Sequence, residues 1–347
     1  MIPAPIKVLM TGAGAPGAPG IIECLQKEPA IELLVADADN NSVGRYLNPH
    51  FIQIPKGTDA GFIQSIKKIC EQQHIQVIMP LVSRELQPLS SAKGEFRNHG
   101  VHVLVSSPEA ISISNNKAET YKFLLSKDIH VPAFKVVETI GEFKDAAKLL
   151  GYPDETICFK PSVANGSRGF RIMSNDYDEW DLLFNHKPNH AFTTYNDALR
   201  VLSSHDFPQL LITEFLPGDE YSVDCLANEG EAYVIIPRRR IRMINGISVQ
   251  GEFIKDEIII EYCRNIIKVI GLHGNIGIQV KRDKNGKAQI LEINPRVQGT
   301  IVAALGAGVN LPLLAIKQEL KLPIAPSELN ISWGTRFFRY WTEIFYP

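Results

Sequence analysis

Leu291-Glu292-Ile293-Asn294-Pro295-Arg296 reads as the closing arm of a β-hairpin whose opening arm is Ile276-Gly277-Ile278-Gln279-Val280-Lys281-Arg282. Between the arms lies Asp283-Lys284-Asn285-Gly286. Asn-Gly is the strongest short-range hairpin signal, because both residues accept the positive φ of a type I′ turn. With Asn285 and Gly286 as a two-residue loop, Lys284 faces Lys287 and Gln279 falls opposite Glu292. Side chains alternate across a strand, so Asn294 joins Glu292 on one face and Ile276, Ile278, Val280, Leu291 and Ile293 take the other. One face is apolar. The other carries a carboxylate and two amide oxygens, a set of hard donors of the kind Mg²⁺ takes when phosphates complete its shell. An ordinary solvated sheet face would alternate in the same way.

Upstream, Leu210-Leu211-Ile212-Thr213-Glu214-Phe215-Leu216 runs into Pro217-Gly218 and then Asp219-Glu220-Tyr221-Ser222-Val223-Asp224, a strand, a turn and a strand. Before it, Ile157-Cys158-Phe159-Lys160-Pro161 and Phe170-Arg171-Ile172-Met173 flank Ser162-Val163-Ala164-Asn165-Gly166-Ser167-Arg168-Gly169. This loop lacks the Gly-Lys-Ser/Thr and following helix of a P-loop. It fits a hairpin lid whose backbone N–H groups can fold over phosphates while its glycines let it open. Lys160, in an apolar strand at the base of that lid, is costly to bury without a partner. Lys117 opens a predicted helix ending near Lys127, and Thr139-Ile140-Gly141-Glu142 forms a capping box for the next.

The N-terminal third alternates strands (6–11, 33–36, 77–80, 101–105) with helices (21–26, 60–73), which predicts an open parallel sheet through about residue 111. Gly12-Ala13-Gly14-Ala15-Pro16-Gly17-Ala18-Pro19-Gly20 with the later Asp37 is formally a dinucleotide fingerprint. Pro16 and Pro19 remove N–H donors from the turn that should cradle a pyrophosphate, so glycines used for tight packing are the better reading. Residues 81–86 sit where the carboxyl-end loops of a parallel sheet bind ligands, making Arg84 and Glu85 candidates for substrate contact. Arg238, Arg240 and Arg242 alternate onto one face of a hairpin that turns at Asn245-Gly246. Such a cationic stripe suits an anionic substrate, or an edge that blocks strand pairing. Residues 257–270 form an apolar-faced helix stopped by Gly271, and 333–345 read as a final strand against the core.

Glu-x-Asn-Pro-Arg after a Gln-bearing strand, together with the lid and residues 210–224, resembles the ATP-grasp superfamily, and most of all its carbamoyl-phosphate-synthase-like branch. The resemblance covers nearly the whole chain. It implies that Gln279, Glu292 and Asn294 hold Mg²⁺, with Mn²⁺ as substitute, and that Arg296 meets the transferred phosphate or the substrate's acid group. It implies ATP contacts from Lys117, Lys160, Gly166, Ser167 and Gly169. Glu214 and the backbone of Phe215 and Leu216 would take the adenine edge, and Glu220 the ribose hydroxyls. Gly277 departs from the pattern, because that branch has Asn there. There is one such hairpin and one lid, whereas synthetase large subunits carry two, so this chain alone is not expected to make carbamoyl phosphate.

Composition narrows the rest. Apolar content of 45% with 21% charged residues is that of a globular protein with real cores, and 347 residues suffice for two or three domains. A net charge of −2 supplies no field to recruit nucleic acid or a membrane surface. Residues 301–316, the longest apolar run, are too short and are broken by Asn310 and Pro312. Cys24, Cys70, Cys158, Cys225 and Cys263 lie far apart, as reduced structural thiols of a cytoplasmic protein would. The expected fold is α/β and α+β: a Rossmann-like pre-ATP-grasp sheet at 1–111, a lid subdomain at 112–209, and a subdomain with the metal hairpin at 210–347. The expected activity is ATP-dependent ligation of a small carboxylate to an amine through an acyl phosphate, by a chain that could form a homodimer. An NAD-dependent oxidoreductase using Gly12–Gly20 and a non-catalytic ATP-binding regulator are the alternatives.

Overall fold

The structure, a computed structural model, describes residues 5–346 except 165, 167, 186–190 and 245. By contacts the chain divides into two compact units, neither a single span of sequence. The first comprises Met1–Asn115, Glu220–Val280 and Glu292–Pro347, and the second Asn116–Asp219 and Lys281–Leu291.

In the first unit, β1 (Ile6–Thr11), β2 (Ile31–Asp37), β3 (Phe51–Gln53), β4 (Val77–Pro80) and β5 (His102–Val103) form a parallel sheet of order β3-β2-β1-β4-β5. β1 is central, and Val8, Leu9 and Met10 are fully buried, as expected of a strand covered on both faces. The helix Phe62–Gln73 packs Phe62, Ile66 and Ile69 into the core on one side. Residues 81–86, expected as a loop, instead enter the helix Ser83–Ser91, because Leu86 and Leu89 fall three apart and both bury completely. Arg84 and Glu85 therefore lie on a first helical turn.

In the second unit, β6 (Phe134–Val137), β7 (Ile157–Pro161), β8 (Arg171–Met173), β9 (Phe192–Thr193) and β10 (Leu210–Glu214) form a sheet of order β6-β10-β7-β8-β9. Its core packs Phe143, Ala146 and Ala147 of the helix Ile140–Leu149 against Ile157, Phe159 and Ile212. That helix starts at the expected capping box, with Thr139 and Glu142 exchanging hydrogen bonds.

Six strands form the last sheet: β11 (Glu220–Asn228), β12 (Glu231–Ile244), β13 (Ile247–Phe253), β14 (Gly274–Arg282), β15 (Ala288–Asn294) and β16 (Arg336–Phe338), ordered β15-β14-β11-β12-β13-β16. The helix Glu257–Ile270 is capped by Asp256 and stopped by Gly271 at φ +73°. The final strand is three residues long, not the thirteen expected. Beyond it Tyr340, Trp341 and Phe345 are exposed.

The hairpin between β14 and β15 closes differently from the sequence expectation. The Asp283 N–H donates to Lys287 O and the Gly286 N–H to Asp283 O, which makes a three-residue loop with only Gly286 left-handed, at φ +77°. Asp283 decides this. One carboxylate oxygen accepts the N–H groups of Asn285 and Lys287, and the other accepts Gln289 Nε2, which favours a type I turn followed by a glycine bulge. Asp283, not Lys284, thus faces Lys287, and stepping outward from that pair sets Gln279 opposite Leu291, so the expected pairing of Gln279 with Glu292 is off by one residue. Among the described residues no helix is long and apolar enough to cross a membrane, and the five cysteines are buried and form no disulfide.

Candidate active site

Each unit carries its own set of predicted residues. In the first, β15 delivers Glu292 and Asn294 to one half-buried face, where Asn294 Nδ2 donates to Glu292 Oε1 at 3.3 Å, while the intervening Ile293 is buried. The strand ends at Pro295, which cannot donate to a ladder, and the chain turns so that the Arg296 N–H reaches Asn294 O at 2.7 Å. The Arg296 guanidinium then spreads over three acceptors: Asn294 Oδ1 at 3.4 Å, Val297 O at 2.9 Å and Ser83 Oγ at 3.2 Å. Burial pulls its pKa down, opposed by the charge of Glu292. Glu292, Asn294 and Arg296 are therefore brought together. Their oxygens are hard donors and suit Mg²⁺. Among the described residues no three His, Cys, Asp or Glu side chains cluster as a site built from those ligands alone would need.

Gln279 lies on the neighbouring strand β14, half-buried between Ile278 and Val280. Its Oε1 accepts from Arg240 Nη1 at 3.4 Å, and the same nitrogen is ion-paired with Glu220. Gln279, Glu220 and Arg240 thus form one hydrogen-bonded set. The space beside Gly277 that an Asn would need is filled by the side chain of Gln298. Gln298 Nε2 donates to Asp224 Oδ1 at 2.6 Å, so that amide occupies the departure noted in the sequence.

Arg238 does not join Arg240. It is fully buried, pairs with Asp224 at 3.3 Å, donates to Thr300 Oγ1 at 2.6 Å and lies over the Phe337 ring. The ladder of β12 on β13 is regular from Arg238 to Arg240 and shifts only beyond Arg240, so Arg242 leaves the expected stripe through that shift while Arg238 leaves it through its buried pairing with Asp224 and Thr300. Arg238 is a core ion pair and presents no charge to a substrate. Arg84 is exposed, whereas Glu85 is buried and accepts from Thr11 Oγ1 at 2.5 Å. Burial pushes the Glu85 carboxyl up to about 7, against the Thr11 hydrogen bond.

In the second unit, Lys117 is buried at the start of the helix Lys117–Ser126. It holds the loop after β7 from both ends, its N–H on Ser162 O and its Nζ on Ala164 O at 2.8 Å. Lys160 Nζ donates to Leu291 O at 2.9 Å. Gly166 and Gly169 are exposed and left-handed, at φ +65° and +74°. Ser167 lies outside the described residues. Glu214 Oε1 accepts the Ala133 N–H, the Phe215 N–H reaches Thr156 O, Leu216 is buried, and Lys281 Nζ sits 5.1 Å above the Phe215 ring. Sequence reasoning missed Asp224 and Thr300 as the partners of Arg238, and Gln298 as a further partner of Asp224, although Asp224 lies in the strand after Pro217-Gly218, two residues along from the ladder partner of Arg238.

Residues 206–336 match the family model described as ATP-grasp in the biosynthetic pathway with Ter operon. Residues 8–104 match the PylC-like N-terminal domain. The chain is thus similar to a PylC-like N-terminal domain over residues 8–104 and to an ATP-grasp domain over residues 206–336. The chain is 27% identical over 248 residues to the arginine-specific large chain of carbamoyl phosphate synthase from Halalkalibacterium halodurans, covering 68% of this chain and 22% of that one. It is 28% identical over 260 residues to the carbamoyl phosphate synthase large chain of Archaeoglobus fulgidus, again with 68% and 22% covered. The chain thus spans about a fifth of the length of these curated relatives. Among solved structures, biotin carboxylase from Campylobacter jejuni superposes with a TM-score of 0.68 at 16% identity, over 95% of this chain and 74% of that one. The N5-carboxyaminoimidazole synthetase of Staphylococcus aureus complexed with ADP gives 0.68 at 16%, over 93% and 79%. The α/β and α+β fold expected from the sequence is the one observed.

Proposed function

We propose that this ATP-grasp chain is a ligase that activates a small carboxylate as an acyl phosphate and joins it to an amine, releasing ADP and phosphate. The observation that carries the reading is the Glu292–Asn294–Arg296 cluster at the end of β15. It sets two hard oxygen donors beside a guanidinium whose fork matches a phosphate or carboxylate. Glu292 and Asn294, with Gln279, would hold Mg²⁺, which when bound neutralises phosphate charge. The protein's own part is positioning and charge: phosphoryl transfer needs oxygens held in line and their negative charge met. Arg296 would meet the transferred group, and Ser83 and Val297 fix its plane. Lys160 and Lys117 would face nucleotide phosphates with Gly166, Ser167 and Gly169. Glu214, Phe215 and Leu216 would face adenine, and Glu220, already aligned by Arg240, the ribose.

The oxidoreductase alternative loses its main support at the glycine turn. A Cβ on Gly17 would meet the Gly299 Cα at 2.5 Å, and one on Gly20 would meet Val302 at 2.7 Å. These glycines serve close packing, and Pro19 stands in the first turn of the helix that would face a pyrophosphate. The five buried thiols suit a reducing, cytoplasmic setting. The test is Mg²⁺-dependent phosphate release from ATP with a panel of carboxylates and amines, alongside melting temperature with ATP or NADH. Release that depends on both an acid and an amine, and stabilisation by ATP but not NADH, are expected. Stabilisation by NADH with ATP inert would overturn the reading. ATP stabilisation without release for any pair would leave a regulator.

A further inference from the structure

Arg296 sits in a segment that has neither helix nor strand. β15 ends at Asn294, the next helix is only Ala303–Gly306, and residues 295–302 run between them. Yet Val297, Gln298, Thr300 and Ile301 are buried. A buried loop must find partners for its polar groups away from water, and other parts of the chain have to supply what a ladder does not. Part of the need is met locally, by the Ile301 N–H on Gln298 O at 3.1 Å and the Ala303 N–H on Thr300 O at 3.0 Å.

The rest is met by charge. Three consecutive residues each bond a different charged side chain. Gln298 Nε2 donates to Asp224 Oδ1 at 2.6 Å, Gly299 O accepts from Arg339 Nη2 at 3.0 Å, and Thr300 Oγ1 accepts from Arg238 Nη2 at 2.6 Å. Asp224 and Arg238 stand on the paired strands β11 and β12 and bond each other, so the grips on Gln298 and Thr300 share one anchor. Stability does not account for these charges. Desolvation offsets the attraction within a fully buried ion pair, and the best-attested use of buried polar and ionic groups is to fix one register. Here they fix a loop. Gly299 and Val302 also pack so closely on Gly17 and Gly20 that a Cβ on either of those glycines would clash, which leaves the loop little room to shift. The Arg296 guanidinium in turn bonds the carbonyl of Val297, the residue just before the three that are gripped.

We propose that the Asp224–Arg238 pair sets the position of the Arg296 guanidinium through this loop, with Thr300 as the positioning residue that couples them. The role of Arg296 in the reaction rests on the ligase reading; the coupling does not.

The test uses the full chain and two variants: Thr300→Val, which closely matches the side chain's shape but removes the acceptor, and Thr300→Ser, which keeps it. The position of Arg296 is read from its Nε–H signal in heteronuclear NMR spectra of arginine-labelled protein, assigned by its absence in Arg296→Lys. Ser83 Oγ accepts this N–H at 3.2 Å. Turnover is read as Mg·ATP-dependent phosphate release with the panel of carboxylates and amines. Thr300→Val is expected to displace the Arg296 signal and to lower kcat by roughly 10²-fold, the cost that a misplacement of about 1 Å can carry, with KM for ATP unchanged. Thr300→Ser is expected to match the wild type in both. A folded Thr300→Val whose signal and kcat are those of the wild type overturns the proposal, and so does a signal displaced equally in both variants. Should Thr300→Val not fold, because it strands an Arg238 donor, Gln298→Met removes the bond to Asp224 without stranding a donor, and the same two readings decide. A displaced signal with kcat unchanged removes Arg296 from the reaction and leaves the coupling. If no acid and amine release phosphate with the wild type, the ligase reading falls, and the NMR contrast alone judges the coupling.

Discussion

Glu85→Gln should change how stability depends on pH. Glu85 is 5% exposed, on the first turn of Ser83–Ser91, with Thr11 donating to it and the negative charge of Asp37 nearby. Burial raises its pKa from the ordinary 4.5 to about 7. Where the unfolded chain has lost this proton and the folded chain still holds it, folding is linked to proton uptake. Its contribution is therefore complete below pH 4.5, declines as pH rises toward about 7, and is gone above that. At about 1.4 kcal/mol per pH unit the gap amounts to about 3 kcal/mol. Glutamine cannot ionise and keeps an oxygen to accept the Thr11 hydroxyl. Urea unfolding followed by circular dichroism from pH ~4 to ~8 should show the variant gaining about 3 kcal/mol on the wild type across the range. Comparison of the two curves cancels every other titrating group. Curves that stay parallel would refute the reasoning, because they would mean that Glu85 ionises as freely in the folded protein as in the unfolded one.

Glu292→Gln keeps the side chain's shape and removes its charge, so Mg·ATP-dependent phosphate release should drop by at least about 10²-fold, and wild-type turnover would remove Glu292 from the metal set. Gly17→Ala places a methyl against the Gly299 backbone and should cost about 1–3 kcal/mol, read as a lower urea midpoint, without altering affinity for ATP. Glu319 accepts from His273 Nε2 at 2.7 Å; burial pushes its carboxyl up, but that hydrogen bond and nearby basic groups carry it down to about 2. The stability it supplies should be present above pH 4.5 and be lost as pH falls toward 2, a loss absent from Glu319→Gln in acid titrations. Amide exchange of the described lid residues, 162–164, 166 and 168–169, should slow when Mg·ATP is added, and equal protection in both states would make this loop a fixed structural turn.

The strands and long helices were legible because their burial follows short periods: Ile6–Thr11 and Glu257–Ile270 emerge where the apolar pattern places them. The capping box at Thr139 was equally legible, being a local exchange of hydrogen bonds. The hairpin at Asn285-Gly286 was found, but its loop length was not. Asp283 could be weighed only by knowing that its carboxylate turns back onto Asn285, Lys287 and Gln289. Glu292 and Asn294 share a face as the strand period requires. The fate of Arg238 was hidden for a different reason. Its alternation with Arg240 was visible, but its buried acceptors on Asp224 and on Thr300, 62 residues away, were not.

The pair formed by Asp224 and Arg238 lies at 0% exposure for both side chains, with Gln298 and Thr300 taking further bonds. Removing one partner strands a charge in a dry interior and costs about 3–5 kcal/mol, whereas replacing both by apolar groups of similar volume can be neutral. Single steps away from this arrangement are therefore steep, and the paired step is nearly level. Across descendants of a common ancestor, positions 224 and 238 should consequently drift in concert: acid with arginine, or oil with oil, and seldom one of each. That covariation would be a historical signature of burial, legible from aligned sequences without any structure.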